Sequence, residues 1–237
     1  MSAVPPLDAR QDPLAQPRLR PSIAIVDYGM GNRRSVEKAL VRVGAQALIT
    51  ADHDAIRAAD AVILPGVGAF PKGMSNLREG GFDELLRERA ASGAPLLGIC
   101  LGMQLLFESS SELGAQTSGV GLISGHVRPI DGKGLSIPHI GWNEVRFERE
   151  SALTADLPQS GCPFYHVHSY VADGVEAVDL VGTTEYGERF ATIVAKGNVF
   201  GTQFHPEKSS RHGLLLLSAF AQLARRRVGA VVTSNVV

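Results

Sequence analysis

The stretch Pro95-Leu-Leu-Gly-Ile-Cys100-Leu-Gly-Met-Gln104 decides how this chain is read. It opens on an apolar run of strand length and passes at once into a helix pattern carried by Leu105 and Leu106. Between the two lies Gly98-x-Cys100-x-Gly102. A strand that turns sharply into a helix leaves no room for side chains around the turn residue, so glycines there frame a residue lifted above the sheet edge. The turn places the Cys100 thiol at a helix start, where free N–H groups and the dipole favour a thiolate. It also aims the Leu101 N–H at the point where an oxyanion forms. A lone cysteine is more often plain core; the glycine frame favours a nucleophile.

Upstream, the same alternation recurs. Ser22-Ile-Ala-Ile-Val-Asp27 reads as a buried strand, Val36, Ala39, Leu40 and Val43 as a helix face closed by Gly44, and Ala45–Thr50 as a second strand. Asp60–Leu64 is a third strand cut off by Pro65-Gly66, and Phe82, Leu85, Leu86 and Ala90 form another helix face. This pattern predicts an α/β fold with an open, mostly parallel sheet flanked by helices. After about residue 115 the texture changes to short β-like pieces separated by Gly and Pro: Leu122–Ile130, Asn143–Phe147, Phe164–Val167, Val178–Thr184, Phe190–Val194 and Val199–Gln203. They predict additional mixed strands folded onto the first half, before a last helix over Arg211–Arg225. Five of the 13 prolines lie before Ser22, so residues 1–21 are expected to be a disordered arm, 22–227 one domain and 228–237 a tail.

A thiol nucleophile needs a base, and Gln203-Phe-His205-Pro-Glu207-Lys-Ser209 offers one. His205 falls where a strand ends, and Pro206 confines it to extended geometry. Glu207 lies two residues on, within reach of an imidazole N–H, where it would set the tautomer and stabilise the imidazolium. His-Pro-Glu alone reads better as a surface histidine followed by a turn. The third piece, Pro65-Gly-Val-Gly68-Ala-Phe70, lets backbone approach a ligand at a strand's carboxyl end. All three pieces fall at such ends.

Composition narrows the setting. The 237 residues carry a formal charge of −1 and 44% hydrophobic residues. A near-neutral balance argues against a nucleic-acid binder. No apolar run reaches the roughly 18–20 residues of a membrane span, and no secretory start is expected. Two cysteines, Cys100 and Cys162, fit a reducing, cytoplasmic compartment, with Cys162 structural. No His/Cys/Asp cluster has metal-ligand spacing; His126 and His139 read as surface or strand-edge residues. Gly29–Gly31 lacks the lysine of a phosphate loop.

Taken together, Gly98–Gln104 and His205-Pro-Glu207 resemble the class I (triad) glutamine amidotransferases, whose architecture is flavodoxin-like. Asp27-Tyr-Gly-Met-Gly-Asn32, Pro65–Phe70, Pro138-His-Ile-Gly-Trp-Asn143 and Tyr165-His-Val-His-Ser-Tyr170 resemble the branch that feeds ammonia to a cyclase of histidine biosynthesis. The likeness spans about residues 22–225. It implies a glutaminase in which Cys100 attacks glutamine, His205 shuttles protons and Glu207 orients His205. Backbone N–H groups of Val67 and Leu101 would hold the oxyanion. Gly68, Gln104, Glu112, His168, Ser169 and Tyr170 would bind the substrate. No cofactor and no metal are implied. The partner would be a (βα)₈-barrel cyclase subunit, docked as a heterodimer near Asn32, Trp142, Tyr165 and Lys208. Without the resemblance, Trp142 reads as core, Lys208 as a solvated charge and Tyr165 as a strand cap. Arg33 stands where that branch has an aliphatic residue, and His166 where it has Phe. The same chemistry serving another synthase, a free-standing hydrolase of γ-glutamyl compounds, and a non-enzymatic module on this fold are the competing readings.

Overall fold

Residues 20–114 and 116–234 are described by the computed structural model, with side chains up to Arg226. The expected arm before Arg20 and the last three residues of the expected tail lie outside the described residues.

The inner strands of the first half are buried on both faces, and their side chains alternate between two apolar layers. In β1 (Ser22–Val26), Ile23 and Ile25 join one layer, while Ala24 and Val26 join the other. In β3 (Ala61–Gly66), Ala61 and Ile63 divide from Val62 and Leu64 in the same way. This period of two, apolar on both sides, forces helices onto both faces. α1 (Arg33–Arg42) and α6 (Ser210–Ser234) cover the first layer. α2 (His53–Ala58), α3 (Phe70–Glu79), α4 (Phe82–Ala91) and α5 (Leu101–Leu105) cover the second.

β2 (Gln46–Thr50), β1, β3, β4 (Leu96–Cys100) and β13 (Val199–Thr202) lie side by side in that order, all parallel. The order 2-1-3-4 followed by one last strand is the flavodoxin-like winding, in which ligands bind beyond the carboxyl ends of the strands. The remaining strands extend the sheet. β12 (Glu188–Lys196), β10 (Tyr170–Asp173) and β7 (Ile123–Pro129) continue it antiparallel from β13. β5 (Phe107–Ser110) and β6 (Thr117–Ser118) close that edge, while β11 (Leu180–Tyr186), β8 (His139–Phe147) and β9 (Cys162–His168) branch from β12. The fold is thus the expected α/β sheet with mixed strands added by the second half.

The structure differs from the expectation at β3, in two added helices and at the end of α6. β3 runs through Pro65 and Gly66 instead of stopping at Leu64. Its pairing with β1 ends at Ile63, so beyond that point β4 is its one partner, and proline is tolerated at such an edge. Two helices were not anticipated. α2 is capped by Asp52, whose Oδ1 accepts from Asp54 N at 2.8 Å and Ala55 N at 3.0 Å. α3 begins with Pro71 in its first turn and buries Phe70, Met74 and Leu77, each stabilising by roughly 1.5–3 kcal/mol. α6 extends past Arg225 to Ser234, so the expected start of the tail at 228 falls within a helix.

Candidate active site

The turn at Cys100 has the predicted strained form. Cys100 sits at φ 55° and ψ −113°, between β4 and α5; such a backbone costs on the order of 1–3 kcal/mol. Its frame is set by close approach. A Cβ on Gly102 would lie 1.8 Å from the Leu64 carbonyl oxygen, and one on Gly98 would meet Gly102 backbone atoms at 2.7 Å. α5 is only five residues long, so the macrodipole expected at the thiol is small and the first-turn N–H groups act through proximity. Cys100 is buried, with Sγ 3.8 Å from both the Val167 carbonyl and Gln203 Nε2.

His205 comes from the run after β13, at the extended φ −99° and ψ 96° that Pro206 imposes. Its backbone is clamped: His205 N–H donates to the Tyr165 carbonyl at 3.0 Å, and its carbonyl accepts from Ser209 Oγ at 2.6 Å. Ser209 Oγ in turn accepts from Tyr165 N–H at 2.9 Å, tying β9 to the His205 turn. His205 Nδ1 and Glu207 Oε1 are 2.8 Å apart, both side chains buried. Nε2 is buried with no hydrogen-bond partner, while Cys100 is near enough to act on the ring electrostatically. Burial opposes charge on the ring, but the interactions with Cys100 and Glu207 outweigh it and lift the pKa to about 9. An imidazolium beside the sulfur at neutral pH is the state that keeps a thiolate ready.

Beside this triad lies a cavity of about 310 Å³, lined by Val67, Gly68, Cys100, Leu101, Gln104, Glu112, Pro138, Val167, His168, Ser169 and Tyr170. Every residue expected at the oxyanion or the substrate is on its wall. Gly68 has φ +117°, a value that glycine tolerates and other residues rarely adopt. Glu112 Oε2 accepts from Phe70 N–H at 2.7 Å, pinning the start of α3 to the wall. Gln104 Nε2 donates to the Tyr170 carbonyl at 3.1 Å and to Gln203 Oε1 at 2.9 Å. Pro138, Val167, Gln203 and Ser209 stand in the motifs without a role legible from sequence; what distinguishes them is placement, which spacing does not encode.

Histidine pairing is the larger surprise. His139 is buried, contrary to the surface or strand-edge reading. Its Nδ1 lies 3.1 Å from His168 Nε2 and its Nε2 lies 3.2 Å from Asn143 Nδ2. His166 stacks on His139 at 4.9 Å between centroids, and its ring nitrogens lie 3.1 Å from the Phe164 carbonyl and 3.1 Å from Thr192 Oγ1, contacts that the Phe implied by the resemblance could not make. Burial lowers the pKa to about 4 for His139 and about 3 for His168, and holds His166 well below the usual range. His126 is exposed, as read. Cys162 is buried in the core, which pushes its thiol up to about 11, in keeping with a structural role.

Of the expected partner residues, Asn32 and Lys208 are exposed, Tyr165 is half-buried and Trp142 is 54% exposed. Trp142 is therefore not core. Trp142 and Tyr165 are register partners across β8 and β9, with rings 6.2 Å apart. Further exposed apolar side chains are Val67, on the cavity wall, and Ile137 and Ile140, close in sequence to Pro138 on that wall. Arg33 forms an ion pair with Asp27.

Comparison with known proteins agrees with this geometry. Residues 24–221 match the glutamine amidotransferase class-I family. The imidazole glycerol phosphate synthase subunit HisH of Moorella thermoacetica is 53% identical over 207 residues, 87% of this chain and 97% of that protein. The Bacillus subtilis subunit of the same name is 46% identical, covering 85% and 96%. Among solved structures, a glutamine amidotransferase superposes with TM-score 0.66 at 21% identity, covering 85% of this chain and 98% of that one. PurLQS from Thermotoga maritima gives TM-score 0.64 at 20% identity, covering 90% and 100%. These structural likenesses bear on the fold. The chain belongs to the class I glutamine amidotransferases and, within them, to the family of imidazole glycerol phosphate synthase HisH subunits. Among the described residues, no helix is long and apolar enough to cross a membrane.

Proposed function

We propose that this chain hydrolyses glutamine to glutamate and ammonia, and passes the ammonia to the cyclase subunit of imidazole glycerol phosphate synthase in histidine biosynthesis. The observation that carries the reading is the buried 2.8 Å His205–Glu207 pair beside a cysteine on a strained elbow, opening on a cavity walled by backbone and polar groups.

The Cys100 thiolate attacks the side-chain amide carbon of glutamine, forming a C–S bond. The oxyanion is held by the N–H groups of Val67 and Leu101. The His205 imidazolium gives its proton to the amide nitrogen, the C–N bond breaks, and ammonia leaves. Neutral His205 then takes a proton from water as that water attacks the thioester. Collapse breaks the C–S bond, releases glutamate and restores the thiolate–imidazolium pair. Glu207 accepts from Nδ1–H throughout, fixing the tautomer and stabilising each imidazolium. Gly68, Gln104, Glu112 and the His168–Tyr170 stretch hold the substrate.

Ammonia released to water is protonated and lost to chemistry, so a nucleophile destined for another reaction needs a covered exit. The exposed Trp142, with Asn32, Tyr165 and Lys208, forms the face on which a (βα)₈-barrel cyclase docks as a heterodimer. The cyclase uses the ammonia to make imidazole glycerol phosphate and an aminoimidazole carboxamide ribotide. The protein works in the cytoplasm as one domain that begins at residue 22 and ends with α6. Glutamate release, measured with and without the cyclase and its nucleotide ligand, tests the reading. Stimulation by the loaded cyclase is expected; full activity without it would favour a free-standing hydrolase.

A further inference from the structure

Gln203 has no part in the mechanism above, yet its side chain lies between two groups that do. It is 0% exposed and stands one residue past the end of β13, two residues before His205. Its backbone N–H donates to the Thr192 carbonyl at 2.9 Å, which anchors the residue. Oε1 accepts from Gln104 Nε2 at 2.9 Å, and Nε2 faces Cys100 Sγ at 3.8 Å.

The neighbours dictate which way this amide points. Gln104 Nε2 also donates to the Tyr170 carbonyl at 3.1 Å, and a carbonyl only accepts. Gln104 therefore turns N–H groups to both partners. Reversing the Gln203 amide would set two donors against each other in a buried site, leaving both unsatisfied. The sulfur thus faces an N–H. As a thiol, Sγ–H can donate weakly to the Val167 carbonyl, 3.8 Å away. As a thiolate it only accepts, and an N–H bond to an anion is about twice as strong as one between neutral groups. Donation by Gln203 thus stabilises the ionised sulfur more than the protonated one. Gln104 polarises the Gln203 amide further in that direction.

We propose that Gln203 is a positioning residue of this glutaminase: it steadies the Cys100 sulfur as a thiolate and links it, through Gln104, to the substrate cavity. The consequence for turnover rests on the glutaminase reading; the effect on the sulfur does not.

The test follows Cys100 alkylation by iodoacetamide against pH in the full chain, mapped by peptide mass so that Cys162 is scored separately. Gln203→Met keeps the volume and removes the donor. Gln203→Glu keeps the acceptor facing Gln104 and sets an acceptor against the sulfur. The midpoint is expected to rise by about one pH unit in Gln203→Met and by more in Gln203→Glu, where a carboxylate opposes the thiolate. With the cyclase present, kcat falls and KM for glutamine changes less. Native near-ultraviolet dichroism identifies folded variants; if only Gln203→Glu folds, it decides alone. Wild-type midpoints in the folded variants overturn the proposal. A wild-type chain that alkylates normally but releases no glutamate overturns the glutaminase reading instead.

Discussion

His139 Nδ1 and His168 Nε2 share a 3.1 Å hydrogen bond across the pairing of β8 with β9. His168 Nδ1 lies 3.0 Å from the Tyr170 carbonyl, which only accepts, so Nδ1 carries the proton and Nε2 receives one from His139. Asn143 donates to the remaining nitrogen of His139. One run of hydrogen bonds thus leads from Asn143 to the cavity wall, and it holds only while both rings are neutral.

The pH dependence of stability follows from that condition. Folding depresses the pKa of His139 to about 4 and of His168 to about 3, and lowers that of His166. Above pH 6.5 both folded and unfolded chains keep these rings neutral. As pH falls from 6.5 towards 4, the unfolded chain binds protons that the folded chain refuses, so stability drops by up to about 1.4 kcal/mol per pH unit for each ring. His205 is shifted the other way, and its contribution changes only between about 6.5 and 9. His166→Phe removes one of the three rings. Urea unfolding at pH 7.5 and pH 5 is expected to show a smaller loss in the variant; equal losses would refute the account.

Activity has its own pH limb. The His205 proton that ammonia release requires is held up to about pH 9 and lost above it. The rate is expected to fall as pH rises through that value. Glu207→Gln removes the negative charge facing Nδ1, so the alkaline limb of kcat/KM moves down in pH and the plateau falls on the order of 10²-fold. An unmoved limb would mean that Glu207 does not act through His205.

Cys100→Ala keeps the cavity and removes the nucleophile. Glutamine binding, followed by calorimetry, is expected to survive, while glutamate release falls by at least about 10⁴-fold. Residual glutaminase activity near wild type would sink the proposed reaction.

Gly102→Ala drives a methyl group into the Leu64 carbonyl. β3 and α5 are forced apart, at a cost of about 3 kcal/mol, read as a lower urea midpoint. Glutaminase activity falls with it, because the same contact holds the Cys100 turn.

Trp142→Ala separates docking from folding. The ring is 54% exposed, so the melting temperature is expected to stay within about a degree or two. Affinity for the cyclase falls about 30-fold or more if the ring is an interface anchor, which titration calorimetry measures directly. Unchanged affinity would remove Trp142 from the interface.

Much of this was legible in the residues. Leu96–Ile99 and Ser22–Val26 could only be buried strands, because uninterrupted apolar runs of that length have to be covered on both faces. Gly98 and Gly102 announced the strained turn, and Pro206 announced extended backbone at His205. Three motifs at three strand ends announced a shared site. Less was legible where order in sequence gives no hint of neighbours. Phe70, Met74 and Leu77 had helical spacing, but the preceding Pro65–Gly68 turn obscured it. Composition alone would have placed Trp142 in the core; only the motif it sits in pointed to the surface.

Local chemistry therefore determined the elements, the turn and the reacting groups, since backbone strain, apolar period and acid–base type are properties of a few adjacent residues. Tertiary structure alone decided the partners. Gln203 meets Cys100 across 103 positions, and His139 meets His168 across 29. Those contacts exist because β13 lies beside β4 and β9 beside β8. Strand order is a property of the whole packed chain, and no local pattern contains it.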